Sequence, residues 1–137
     1  FEEPLSPAHP ELFRQLADKV DVPIATGECE QTRYGFQKLL SKGGVQIVQP
    51  DLAYCGGPTE AVKIRTVASS MGINVVPHCW GSQLNLVSAV HFLATTYVEP
   101  GKVVGFLRLW RLKGVRTPVL RVGCISSPID ISCSVKF

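Results

Sequence analysis

Three short apolar runs, at residues 22–25, 45–48 and 73–76, are rich in β-branched side chains and read as parallel strands buried on both faces. Around them, apolar residues return at helical spacing: Leu12, Phe13, Leu16, Ala17 and Val20; then Phe36, Leu39 and Leu40; then Ala61, Ile64, Val67, Ala68 and Met71; then Leu84, Val87, Val90, Leu93 and Ala94. The pattern predicts four amphipathic helices interleaved with three strands. Gly43 with Gly44, and Gly72, mark where helices stop and the next strand begins. A βα unit of about 25 residues repeats, and alternating units of this kind imply a parallel sheet.

The polar residues obey the same repeat. Glu2 and Glu3, Glu28, Asp51 and His78 each stand where a strand hands over to a helix. In parallel sheets ligands bind outside the carboxyl ends of the strands, and in barrels catalytic groups come from several strand ends at once. Taken singly, an acid at such a place is more often a helix cap or turn residue. Asp51 is open to capping the turn before Gly56, and His78 to being a satisfied histidine at a buried strand end. Four successive strand ends occupied in this way point to a shared site, with Glu3 supporting it rather than taking part.

Composition narrows the setting. The 137 residues suit one domain with a real core, whereas a complete (β/α)8 barrel takes roughly 250 residues, so the chain is expected to hold about half of one, with the strand before Glu2 falling outside it. No apolar stretch reaches the roughly 18 residues that span a membrane, and the acidic start is unlike a signal peptide, which predicts a soluble, cytoplasmic protein with no membrane partner. The five cysteines, Cys29, Cys55, Cys79, Cys124 and Cys133, form no CxxC pair and are odd in number, so free thiols are expected. Cys29 and Cys79 leave a soft-metal site open beside Glu28 and His78, but the oxygen-rich set is the better one. Gly56 and Gly57 lack the spacing of a phosphate loop.

The net charge of +3 hides a split. Residues 1–100 carry seven basic and ten acidic side chains, a balance of −3, while residues 101–137 carry seven basic side chains and only Asp130. Those basic residues form no helical stripe and no aromatic series, so no nucleic-acid partner is expected. Residues 1–99 read as the barrel domain and residues 100–137 as an atypical basic tail of uncertain fold.

FEEPLSP, then PIATGE with RYGF, then VQPD with CGG and TEA, then VVPHCWGS, stand in this order over residues 1 to about 97. They resemble the carboxyl half of the barrel in the enolase superfamily, in the mandelate racemase-like branch that includes acid-sugar dehydratases. The resemblance implies a partial (β/α)8 TIM-type barrel of α/β class. It implies Mg²⁺ held by carboxylates at successive strand ends, with Glu2 and Glu28 as two of three ligands, and hard oxygen donors suit that ion. It assigns His78 as the acid–base catalyst and Asp51 as its partner, in an enzyme that abstracts the α-proton of a hydroxy acid and, as a dehydratase, protonates the departing hydroxyl. The third carboxylate, a Lys-containing base motif and the capping domain of the family are expected upstream of Phe1, and Glu99 carries little weight as the family's last strand-end acid. The alternative is a catalytically inactive βα module that keeps these acids by inheritance, and without the upstream groups the isolated chain is expected to be inactive although its parent family is enzymatic. Either way, open strand edges predict a homo-oligomer.

Overall fold

The computed structural model describes residues 1–95 and, beyond them, the short strand Arg108–Leu109. The order is α1 (Glu11–Ala17), β1 (Ala25–Thr26), α2 (Thr32–Ser41), β2 (Ile47–Val48), α3 (Pro58–Ser70), β3 (Asn74–Val75), β4 (His78–Cys79), α4 (Gln83–Ala94) and β5 (Arg108–Leu109). Apart from that strand, the basic tail lies outside the described residues, as do Glu99, Cys124 and Cys133. Among the described residues, no helix is long and apolar enough to cross a membrane.

Among the described residues every strand pairing is parallel, as the alternation of strand and helix requires. Ala25 and Thr26 lie against Ile47 and Val48, which lie against Asn74 and Val75. The ladders are shorter than the apolar runs, and proline accounts for much of this. Pro23 brings no N–H into the first run, and the Ile24 N–H that follows it donates to the Gln46 side-chain oxygen at 2.8 Å instead of to a strand carbonyl. Pro77 stands directly after the last run and cannot extend its ladder; β3, before it, pairs with β2, and β4, beyond it, pairs with β5. The strand position ahead of β1, expected to fall outside the chain, is taken by Phe1 to Glu3. Ala25 N–H donates to the Phe1 carbonyl and Glu3 N–H to the Ala25 carbonyl, both at 2.9 Å.

The helices cover one side of this sheet. Phe13 of α1, Phe36, Leu39 and Leu40 of α2, and Ala61, Ile64 and Ala68 of α3 close over Ile24, Val45 and Val48 in one core. Pro58 opens α3 at a position where its missing N–H costs nothing, and the Ser82 side chain caps α4 by accepting from Asn85 N–H at 3.2 Å. Glu60, in the first turn of α3, takes the Arg33 backbone N–H at 2.9 Å and its guanidinium at 3.1 Å, which ties the start of α2 to α3. That backbone hydrogen bond, with the charge of Arg33, holds the Glu60 carboxyl below the ordinary range.

Helix α4 departs from its apolar pattern. Leu84 and Val87, expected to face the core, are 75% and 51% exposed, and the buried residues are Asn85, Ala89, Phe92 and Leu93. The inward stripe begins on a polar residue, because Asn85 has buried partners at the strand ends.

The loop entering β2 presses on α1. At Gly44, with φ +85°, an added Cβ would stand 2.5 Å from backbone atoms of Phe13 and Arg14; at Gly72, with φ +71°, it would meet nothing within 4 Å. Gly44→Ala is therefore expected to lower stability by about 3 kcal/mol or more, and Gly72→Ala by only about 1 kcal/mol, the left-handed penalty alone. Urea midpoints of the two variants measure the difference, and equal losses would contradict the close approach.

Candidate active site

Parallel register brings Asp51 and His78 together. Beyond the β2–β3 ladder the two residues form a bridge of their own, with His78 N–H donating to the Pro50 carbonyl at 3.1 Å. Their side chains meet at 2.8 Å between Asp51 Oδ2 and His78 Nδ1, with only 6% and 8% of the two residues exposed. Asp51 also caps the turn, its Oδ1 accepting from Ala53 N–H at 2.8 Å. His78 is likewise buried and partnered, on both ring nitrogens. Glu28 Oε2, projecting from the turn after β1, stands 3.2 Å from Nε2. An imidazole thus lies between two carboxylates contributed by two other strand ends.

These three side chains line a cavity of about 580 Å³ shared with Cys29, Ala53, Tyr54 and Trp80. Tyr54 and Trp80 are half or more exposed. The Cys29 thiol is pushed up by partial burial and then by the negative charges of Glu28, Glu3 and Asp51. Three carboxylates against one imidazole give the site an excess of negative charge.

Glu2 and Glu3, adjacent in sequence, do different work. Glu3 Oε1 accepts from Thr26 Oγ1 and from Gly27 N–H, both at 2.8 Å, and so ties down the turn that carries Glu28. Glu2 Oε1 accepts from Gln49 Nε2 at 2.9 Å, reaching across β1 to the end of β2. The other amide oxygen, Gln49 Oε1, is buried without a partner.

The surroundings fit a hard cation as far as they go. Two carboxylates and an unsatisfied buried amide oxygen lie at adjoining strand ends, and excess negative charge favours a divalent ion there. Among the described residues no group of three His, Cys, Asp or Glu side chains converges as a metal site.

The other polar candidates stand apart. Arg33 is bound to Glu60 and stacks on Tyr34, its guanidinium carbon 4.8 Å from the ring centre, while Glu30 accepts from the Gln31 N–H at 2.8 Å. His9 sits in the first loop beside Glu11, and His91 within α4. The residue of this cluster that the apolar pattern misses is Asn85. Its Nδ2 donates to both Asp51 oxygens, at 2.9 and 3.1 Å. The signal was present as a stripe through residues 85, 89, 92 and 93, one helical face led by an amide.

A model of the enolase C-terminal domain-like family matches residues 1–116. The chain belongs to that family. Its parallel strands and outer helices are therefore a portion of a (β/α)8 barrel, and the match continues past residue 97, where the motif resemblance stops. Among curated relatives from the enolase superfamily, D-galactarolactone cycloisomerase of Agrobacterium fabrum is 39% identical over 103 residues, covering 75% of this chain and 27% of that protein. D-galactonate dehydratase of Ralstonia pickettii is 39% identical over 91 residues, covering 66% and 24%. The solved 3,6-anhydro-D-galactonate cycloisomerase from Zobellia galactanivorans superposes with a TM-score of 0.65 at 43% identity, over 66% of this chain and 26% of that one. A member of the enolase superfamily from Salmonella Typhimurium gives 0.68 at 35% identity, over 76% and 26%. The chain spans about a quarter of the length of these relatives.

Removing the Glu3 acceptor leaves the Thr26 hydroxyl and the Gly27 N–H without it. Glu3→Ala is expected to lower stability by about 1–3 kcal/mol, and Glu3→Gln, which keeps an oxygen acceptor, by clearly less. Equal losses in urea denaturation would show that the clamp is not what Glu3 contributes.

Proposed function

We propose that this chain carries the acid–base unit of an enolase-superfamily enzyme that takes the α-proton from a hydroxy acid, a sugar acid, and dehydrates it. The observation that carries the reading is His78 held at Nδ1 by Asp51, with Nε2 directed at Glu28 on the wall of the cavity. The named activities of the relatives, dehydration and cycloisomerisation of galactose-derived acids and lactones, support a small carboxylate substrate.

The hydrogen bond to Asp51 keeps the Nδ1 proton in place, which leaves Nε2 as the atom that exchanges protons with substrate. When the α-carbon–hydrogen bond breaks, that proton moves to Nε2, and the imidazolium then has a carboxylate on each side. The same Nε2 proton is returned to the departing hydroxyl, which leaves as water as the α,β-double bond forms. Glu2 and Glu28 would hold Mg²⁺, which when bound supplies positive charge against the charge that builds on the substrate carboxylate. A cytoplasmic setting, without a nucleic-acid or membrane partner, belongs to the same proposal.

With Mg²⁺ and galactonate in D₂O, the protein is expected to exchange the substrate α-proton for deuterium, read by NMR, and His78→Gln to lose this activity by about 100-fold or more. Exchange that survives the substitution would overturn the reading. Mg²⁺ is expected to raise the thermal midpoint of the unsubstituted chain but not of Glu28→Gln.

One observation favours a second reading, an inactive βα module that self-associates: no third metal-binding side chain joins Glu2 and Glu28 among the described residues. That reading expects no Mg²⁺ response. Sedimentation at micromolar concentration tests the association that both readings share, with a dimer or larger species expected and a monomer contradicting it.

A further inference from the structure

The Asp51–His78 pair has a third member on α4. We propose that Asn85 is a positioning residue for this acid–base pair, fixing the plane of the Asp51 carboxylate and, through it, the direction in which His78 presents Nε2. The inference rests on the acid–base role given to His78 above and assigns a specific part in it to a residue outside the strand ends.

Asn85 is 3% exposed, and its amide nitrogen spends both hydrogens on the site. It donates to Asp51 Oδ1 at 2.9 Å and Oδ2 at 3.1 Å, and to the Trp80 carbonyl at 3.4 Å. A donor straddling both oxygens resists rotation of the carboxylate about its Cβ–Cγ bond. The Ala53 N–H on Oδ1 and the His78 Nδ1 on Oδ2 complete the frame, so each oxygen has two partners. Without the amide, each oxygen would keep one partner, and the carboxylate could swing without breaking either bond outright.

The orientation of the amide is not arbitrary. Turning it over would set its oxygen against a carboxylate, and the observed orientation leaves Asn85 Oδ1 buried without a partner. An unsatisfied buried oxygen is unfavourable, and an apolar residue of similar size would avoid it. The position also heads the inward face of α4, where Ala89 and Phe92 follow. A polar residue kept there at a local penalty is the signature of a site rather than of packing. Its neighbour Ser82, which caps the helix, places the first turn of α4 so that Asn85 reaches Asp51.

The test reads the His78 ring proton and needs neither metal nor substrate, so its failure is distinct from failure of the proposed activity. In the 137-residue chain labelled with ¹⁵N-histidine, the Nδ1 proton of His78, assigned by its loss in His78→Gln, is expected to exchange slowly with water. In Asn85→Leu and Asn85→Ala the same proton is expected to exchange about fivefold faster or more, the factor that one lost net hydrogen bond represents. Unchanged exchange in a folded variant would overturn the proposal, leaving Asn85 a packing residue. Should neither variant fold, the unsubstituted chain still decides: the Asn85 side-chain amide protons must be protected and show a nuclear Overhauser contact to that ring proton, and amide protons that exchange as freely as those of an exposed asparagine would refute the assignment.

Discussion

A carboxylate with 6% of its residue exposed is tolerable only when its lone pairs are used, and the site is built around meeting that demand for Asp51. The Ala53 N–H, the Asn85 amide and the His78 imidazole come from three places: the turn after β2, the first turn of α4, and β4. Each donor is in reach because the strands are parallel and in one register, which puts the Asp51 and His78 backbones side by side. Slipping β4 by one residue would turn the imidazole to the opposite face and leave a buried charge without one of its three partners. The chemistry and the fold thus share one requirement.

Around that requirement the neighbouring acids divide the labour. Glu28 faces the second ring nitrogen, and Glu3 secures the turn that holds Glu28. Glu2 is held by Gln49 from the end of β2. The accumulated negative charge, which is felt as far as the Cys29 thiol, is what a bound divalent cation would offset. Membership of the enolase C-terminal domain-like family gives the arrangement its context, with this chain corresponding to about a quarter of each relative's length.

Much of this was legible in the residues. Helical spacing located the four helices of the described residues, the apolar runs located β1 to β3 but not β4 or β5, and polar residues at the strand ends pointed to the candidate site. What the pattern missed has physical causes. The strand at His78–Cys79 starts afresh after Pro77, because a residue without an N–H cannot extend a ladder. In α4 eight of the twelve residues are apolar and spread round the helix, so periodicity alone put Leu84 and Val87 inward, whereas an amide leads the buried face. The different tasks of Glu2 and Glu3 follow from the turn between the first strand position and α1, where Glu3 takes φ +43°, and no spacing rule reports that. The Arg33–Glu60 pair spans 27 positions, a separation that no local spacing rule reports.

The account stands or falls on Asp51 and His78 acting as one unit. A double-mutant cycle with Asp51→Ala and His78→Ala, read as unfolding free energy in urea, tests this most directly. Each single substitution is expected to cost about 3 kcal/mol or more, because it leaves a buried partner unsatisfied, while the double variant costs clearly less than the sum of the two, with a coupling of about 1–3 kcal/mol. Strictly additive losses would mean that the two side chains do not depend on one another, and the central pair would have to be abandoned.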